Sequence, residues 1–155
     1  MASNLALQVY KAFQAHLDKN KFKYNAHDED LVISLTVNGD DLPINTIIRV
    51  MEKRNVAQVL CICGKAPEDK RIDLAVAVAV ANYGMINGSF DYDISDGELR
   101  FRVTHNYTDG VPSDEVIRYL LGIAFNTTDK YNDKFFMLGK GMMTLEKFIE
   151  AEKNV

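Results

Sequence analysis

The sequence predicts an α+β protein in which an antiparallel sheet of about five strands is packed by helices, in the order α-βββ-α-ββ-α-α. Three observations support this fold class. Three runs of alternating hydrophobicity lie before Gly64, a long apolar block follows at 72–86, and two further alternating runs flank Asp96-Gly97. Strands repeat with period two and helices with a period of about 3.6, so these patterns separate the two kinds of element. We expect residues 1–155 to form one domain.

The first helix is predicted from a cap and a stripe of residues at helical spacing. Ser3 or Asn4 can accept hydrogen bonds from the first backbone N–H groups, and the helix should end near Asn20. The stripe consists of Leu5, Val9, Ala12, Phe13, His16 and Leu17. Three short strands then predict an antiparallel meander, at 31–37, 44–52 and 56–63.

The apolar block at 72–86 fits either a strand or a helix. Leu or Val alternates with Ala from Asp73 to Ala81, which is the period of a strand. A strand of this length would be unusual in a small sheet, and Pro67-Glu68-Asp69 supplies a proline and two acids that favour a helix start. We therefore predict a helix that is apolar nearly all round and buried on more than one side. One face carries Ile72, Val76, Val80 and Tyr83, and another carries Leu74, Val78 and Met85.

Residues 90–94 and 99–103 predict a β-hairpin around Asp96-Gly97. Asp-Gly is favoured in two-residue turns because both positions tolerate a positive φ. Such a turn pairs Ile94 with Leu99, Tyr92 with Phe101 and Phe90 with Val103 on one face, and Asp93 with Arg100 and Asp91 with Arg102 on the other. Apolar and opposite-charge pairs both favour this register.

Two helices are predicted in the C-terminal part of the chain. Ser113 can cap a long helix that persists to Met137 and ends at Gly139 and Gly141, and Thr144 can cap a short final helix. The buried stripe of the long helix is Ile117, Leu120, Leu121, Ala124, Thr128 and Tyr131, and that of the final helix is Leu145, Phe148 and Ile149.

Composition and charge narrow the class of partner. With 22 acidic and 18 basic residues and no concentrated basic patch, the chain is not expected to bind nucleic acid. No apolar run reaches the length of about eighteen residues that a membrane span needs, so no membrane partner is expected. The N-terminus lacks a secretion signal, and Cys61 and Cys63 are too close in sequence to bridge readily, which favours the reducing cytoplasm.

The cysteines and histidines show no catalytic or metal-binding pattern. Cys61 and Cys63 project to one face of a strand, where packing as small apolar groups is the simpler interpretation. His16, His27 and His105 are isolated in sequence, and edge or surface positions explain them. The acidic runs lack the spacing of a calcium loop. We predict no enzymatic activity, no metal site and no cofactor.

Several of these segments together resemble the YbjN family of bacterial sensory transduction regulators. The matching parts are the middle helix running into 83–90, the hairpin before 99–103, the Val111-Pro112-Ser113 entry into a long helix, and the helix after Gly141. The resemblance covers residues 5–150 and implies a type III secretion chaperone-like fold that is commonly dimeric. It implies no catalytic residues. Relatives are often richer in charge on the middle helix than this chain.

A surplus of apolar residues predicts a protein-binding function, since the middle helix and the hairpin present more apolar surface than one helical layer covers easily. We expect part of this surface to form a homodimer or to bind a client protein that the sequence does not identify. The candidate residues are Val76, Val78, Val80, Tyr83, Phe90, Tyr92, Phe101 and Val103. Two alternatives remain open: a monomer whose other helices cover this surface, and a small-molecule or peptide sensor with an apolar pocket between sheet and helix.

Overall fold

The computed structural model describes residues 2–153, and this part of the chain forms four α-helices and six β-strands. The helices are α1 (Asn4–Lys19), α2 (Arg71–Asn82), α3 (Asp114–Gly139) and α4 (Leu145–Lys153). The strands are β1 (Asn25–His27), β2 (Val32–Asn38), β3 (Pro43–Met51), β4 (Val56–Lys65), β5 (Ser89–Tyr92) and β6 (Glu98–Asn106). The predicted α+β class and the predicted element order are confirmed, with one additional strand.

The additional strand is β1, which forms one edge of an antiparallel sheet with the strand order β1-β2-β3-β4-β6-β5. It contains three residues, all of them exposed, and pairs Asn25 with Ser34 and His27 with Val32. A segment this short and polar has no hydrophobic period, so the sequence offers no signal for it. The meander of β2, β3 and β4 is as predicted.

The helices pack against one face of the sheet, which we call the inner face. Helix α3 lies against β4 and β6, α1 lies against β3, and α2 lies against β5. Alternate strand residues point into this core, among them Ile33, Leu35, Ile44, Ile48, Val50, Ala57, Val59, Cys61, Leu99, Phe101 and Val103. The predicted stripe of α3 is buried along its whole length.

The helix starts follow the predicted caps. The Ala6 amide donates to Ser3 Oγ (3.1 Å) and the Val116 amide donates to Ser113 Oγ (3.2 Å). The Lys147 amide donates to Thr144 Oγ1 at 3.2 Å. Each hydroxyl therefore satisfies one of the backbone donors that have no partner within the first turn of a helix.

The apolar block folds as helix α2, as predicted, but the helix ends at Asn82 and not at Ile86. Tyr83 is extended and Gly84 has a φ of +84°, a conformation that ends the helix. Met85 therefore lies in the loop that follows α2 and not on a helical face.

The β5–β6 hairpin forms, but its register differs from the predicted one by two residues. The observed pairs are Ser89 with Arg102, Phe90 with Phe101, Asp91 with Arg100 and Tyr92 with Leu99. The connection is a four-residue loop, Ile94–Gly97, closed by the Asp93 amide donating to the Glu98 carbonyl at 2.9 Å. The Asp93 carboxylate stabilises it by accepting from the Ser95 amide (2.9 Å) and hydroxyl (2.6 Å).

Candidate protein-binding surface

Helix α2 has one covered face and one open face. Leu74, Ala77, Val78 and Ala81 are buried in the core. On the opposite side Ile72 is 66% exposed and Val76 is 39% exposed, although both are large apolar residues. No charged residue occurs between Asp73 and the end of the helix. The open face is therefore apolar and uncharged over most of its length.

The loop after α2 extends the open face beyond the helix. Tyr83 is 92% exposed and Ile86 is fully exposed. The loop is held at its base because Asn82 Nδ2 donates to the Phe90 carbonyl at 3.0 Å, while the Phe90 amide donates to Asn82 Oδ1 at 2.8 Å. At its other end Gly88 has a positive φ, and a Cβ atom there would clash with the ring of Phe101. Two exposed apolar side chains are thus presented on a well-anchored loop.

Two open grooves meet beside the open face of α2. The larger, of about 760 Å³, lies between α2 and α4 and is lined by Ile72, Ala75, Val76, Ala79, Val80, Tyr83, Ile149, Glu152 and Lys153. The second, of about 570 Å³, shares Tyr83 and Glu152 with the first and continues past Ile86 to Tyr119 on α3. We call the residues Ile72, Val76, Ala79, Val80, Tyr83 and Ile86 the α2 surface.

Helix α4 is held in place beside these grooves by Glu152. Tyr131 Oη donates to Glu152 Oε2 at 2.6 Å, and Lys134 Nζ lies 3.5 Å from Glu152 Oε1. Burial and the hydrogen bond to Glu152 raise the pKa of Tyr131, so the phenol remains the proton donor. The wall of the larger groove is therefore fixed by polar contacts at the C-terminal end of the described chain.

The eight predicted interface residues separate into two groups. Val76 and Tyr83 are exposed, and Val80 and Tyr92 are half-buried. The other four, Val78, Phe90, Phe101 and Val103, are buried in the core and do not lie on the surface of the described chain.

The aromatic cluster under α3 explains why the hairpin residues are covered. The Phe90 ring packs edge-on against Phe101 (5.2 Å between centroids), Tyr131 (5.6 Å) and Phe135 (4.9 Å).

Two exposed residues of this surface, Ile72 and Ile86, were not among the predicted interface residues. Ile72 shares the helical face of Val76 and could have been included on spacing, whereas the exposure of Ile86 depends on where α2 ends.

Cys61 and His16 are buried, and Cys63 is half-buried. Cys61 is in the core beside Thr46, with its Sγ 3.7 Å from the Ala124 carbonyl oxygen. Burial raises the pKa of Cys61 and raises that of Cys63 to about 12, so both remain thiols of low nucleophilicity. His16 is buried on the inward stripe of α1, and not at an edge or on the surface as predicted, and its Nδ1 lies 2.8 Å from Asp114 Oδ1 at the start of α3.

Within residues 2–153 no group of three His, Cys, Asp or Glu side chains is arranged to hold a metal ion. Among the helices of the same residues, none has the length and apolar character that crossing a membrane requires.

Similar solved structures share the fold described above. The crystal structure of the ExsC–ExsE complex matches with a TM-score of 0.62 at 12% identity, over 84% of this chain and 96% of that chain. The crystal structure of YbjN, a transcription regulator candidate from E. coli, matches with a TM-score of 0.60 at 11% identity, over 82% and 90%. The HopA1–SchA chaperone–effector complex matches with a TM-score of 0.56 at 9% identity, over 84% and 98%. The protein therefore has a type III secretion chaperone-like fold.

The family is established by the sequence itself. Residues 11–137 match the YbjN family, described as "Putative bacterial sensory transduction regulator". Because the match spans most of the chain, this protein belongs to the YbjN family. The chain matches none of the curated protein sequences.

Proposed function

We propose that this protein is a non-enzymatic protein-binding module of regulatory or chaperone type, which acts in the cytoplasm as a homodimer. The observation that carries this proposal is the α2 surface, where four large apolar side chains (Ile72, Val76, Tyr83 and Ile86) are exposed on one side. Exposed apolar patches of this kind are typical of interaction sites. The similar ExsC and SchA structures were each solved in complex with another protein, ExsE and HopA1.

A second copy of the chain is the occupant that best fits the α2 surface. In a two-fold dimer the same patch faces itself, so an uncharged apolar patch is complementary to its own copy. The small residues Ala75 and Ala79 line the groove between α2 and α4, and they allow the helix of a partner to approach closely.

Sedimentation velocity at micromolar concentration tests the dimer. We expect the wild-type protein to sediment at twice the 17.5 kDa monomer mass, and Val76→Asp to sediment as a monomer, because a carboxylate would be buried in the apolar interface. Val111→Asp is the matched control, since Val111 is also an exposed valine but lies in the loop before α3. A wild-type protein that shows only the 17.5 kDa species contradicts the proposal.

The alternative of a small-molecule or peptide sensor has less support. The cavity between the sheet and the helices, lined by Cys63, Leu74, Leu99 and Phe135 among others, measures about 240 Å³. Pockets for small ligands usually measure about 300–1,000 Å³. Thermal melting across a metabolite panel tests this alternative, and a reproducible rise of the melting temperature that Leu99→Phe abolishes would favour it.

A further inference from the structure

The outer face of the sheet, opposite the helices, carries a cluster of arginines. Arg49 on β3 and Arg100 and Arg102 on β6 alternate with inward-pointing core residues, so all three project from the outer face. Leu60 on β4 points the same way and lies between Ile47 and Arg102 in the ladder. It is only 3% exposed, although its inward neighbours Val59 and Cys61 already fill the core. Long side chains on this face, arginines included, therefore cover it with their aliphatic parts.

The charges of this cluster are unbalanced. Asp91 accepts two hydrogen bonds from Arg102 (2.8 and 2.9 Å) and one from Arg100 (3.3 Å), so one carboxylate serves two guanidinium groups. Arg49 has no carboxylate within 4.0 Å among residues 2–153. Its Nε donates to Gln58 Oε1 at 2.7 Å, and its other guanidinium nitrogens donate to no group in the described chain.

The surroundings of Arg49 favour an incoming anion. Burial lowers the pKa of Arg49, and the positive charges of Arg100 and Arg102 lower it further. A carboxylate placed against Arg49 would offset this repulsion. It would also accept hydrogen bonds from the guanidinium N–H groups of Arg49 that have no partner in the described chain. Such charge-assisted hydrogen bonds are stronger than those between neutral groups.

A shallow groove on the outer face extends from β4 across β3 and β2 to the β1 edge. It measures about 460 Å³ and is lined by Lys23, Tyr24, Asn25, Ser34, Leu35, Thr36, Asn45, Thr46, Ile47 and Ile62. Ile47 is two residues from Arg49 on β3, and Ile62 lies opposite Arg100 in the ladder. The groove therefore offers a lysine near the β1 edge and two apolar side chains, one next to Arg49 along β3 and one opposite Arg100 across the ladder.

We infer that the outer face binds an extended, acidic segment of a partner protein, with one carboxylate on Arg49 and apolar side chains over Ile47 and Ile62. This inference rests on the proposed protein-binding function but uses a surface separate from α2. Nucleic acid fits less well because a phosphate backbone needs several unpaired cations in a row, whereas Asp91 already pairs with Arg100 and Arg102. Two flanking apolar contacts also suit a peptide better than a sugar-phosphate backbone.

Fluorescence anisotropy with three short capped peptides tests the inference. The first alternates Glu with Val and Ser, the second replaces each Glu by Gln, and the third replaces each Glu by Lys. We expect the wild-type protein to prefer the Glu peptide, with an affinity that falls as salt is raised. Arg49→Gln should weaken binding of the Glu peptide about tenfold, since it removes one charge-assisted contact. Arg118→Gln is the matched control, because Arg118 is exposed on α3 and pairs with Glu115 at 3.1 Å.

A charge reversal sharpens the test, since Arg49→Glu should transfer the preference from the Glu peptide to the Lys peptide. Equal affinity of the folded wild-type protein for the Glu and Gln peptides, or no binding of either, overturns the inference. So does an Arg49-dependent complex with oligo-dT that is tighter than the peptide complex. If Arg49→Gln does not fold, the Glu–Gln comparison and the salt dependence of the wild-type protein decide. We expect Arg49→Gln to sediment as a dimer, as the wild-type protein does. This result would show that the peptide-binding outer face is separate from the α2 surface.

Discussion

Helix α2 presents two faces that are similarly apolar but differ in exposure. Val78 and Ala77 lie in the core, while Val76 and Ala79, on the other side of the same turns, are exposed. The residue types are the same on both faces, so the difference comes from the neighbours. Strand β5 and helices α3 and α4 contact α2, and in the described chain they leave one face open. An apolar residue on a helix is therefore part of the core only where another element reaches it.

The largest expected effect compares the two valines directly. Val78→Asp places an unpaired carboxylate in the core and should lower the free energy of unfolding by about 4 kcal/mol or more. Val76→Asp changes the helix propensity by the same amount, but its carboxylate stays in contact with water. It should therefore lower the free energy of unfolding of the monomer by less than about 1 kcal/mol. Urea unfolding followed by circular dichroism measures both, at a concentration where the wild type is monomeric. Similar losses in the two variants would mean that the open face is covered in the monomer.

The two alanines give a smaller effect of the same kind. Ala77→Leu adds three carbons to a fully buried position and should destabilise the protein by about 1–3 kcal/mol through overpacking. Ala79→Leu adds the same atoms to the exposed side and should leave the monomer nearly unchanged, because there is room for the side chain. Thermal melting of the two variants distinguishes them, and a more stable Ala77→Leu protein would be inconsistent with the packing described here.

The Asn82 side chain, which anchors the loop after α2, should contribute a comparable or smaller amount to the free energy of unfolding. Asn82→Ala removes both hydrogen bonds to the backbone of Phe90, which faces away from β6 and has no other partner in the described chain. We expect a loss of about 1–2 kcal/mol. Asn87→Ala is a control in the same loop, since the Asn87 side chain makes no hydrogen bond within residues 2–153. Equal melting temperatures for Asn82→Ala and Asn87→Ala would show that the loop is held by other contacts.

The smallest effect concerns the hairpin on which the covered face of α2 packs. Burial alone would raise the pKa of Asp91, but the hydrogen bonds and charges of Arg102 and Arg100 outweigh it and hold the pKa below its usual value. A lowered pKa in the folded state means that Asp91 stabilises the fold above about pH 4, and that this contribution is lost as the pH falls through the folded-state pKa.

Asp91→Asn should remove that part of the acid sensitivity, at a cost below about 1 kcal/mol at neutral pH because the pair is partly exposed. Urea midpoints at pH 7 and at pH 3 measure it, with Asp41→Asn in the exposed turn after β2 as control. If the urea midpoint of Asp91→Asn falls between pH 7 and pH 3 by as much as that of the wild type, the acid sensitivity belongs to other groups.

Most helices and strands could be predicted because their periods and caps are local. The apolar stripe of α3 and the cap at Ser113 identify that helix without knowledge of the rest of the fold. Strand β1 could not be predicted, since three exposed residues form a strand only because β2 offers them an edge. The polar partner of His16 likewise could not be predicted, because Asp114 is remote in sequence.

The hairpin register shows where local pattern stops being informative. A shift of two residues keeps Phe90 and Phe101 on the same face, so hydrophobic alternation is equally satisfied in both registers. The observed register brings hydrogen bonds that the predicted one was not judged on, since the Asp93 side chain stabilises the four-residue loop by accepting from Ser95. Such bonds depend on loop geometry and are not visible in the spacing of apolar residues.

The sequence predicts the apolar composition of the α2 surface, but it does not show which apolar side chains are exposed. The sequence indicates that α2 is apolar on two faces, but it assigns Phe90 and Phe101 to the surface because it does not show that α3 covers them. The alternation in the hairpin predicts Arg100 and Arg102 on one face, but it gives no signal for Arg49, which joins them only through pairing of β4 with both β3 and β6.

The element types of most of the chain, the inward side of each long strand and the apolar character of α2 can be predicted from the sequence alone. These properties follow from short-range periodicity, caps and turn residues, which act within a few residues of one another. The open face of α2, the hairpin register and the position of Arg49 away from every carboxylate of residues 2–153 follow only from the packing in three dimensions. Each of these depends on contacts between segments far apart in the chain, because burial and ion pairing are properties of neighbours in space.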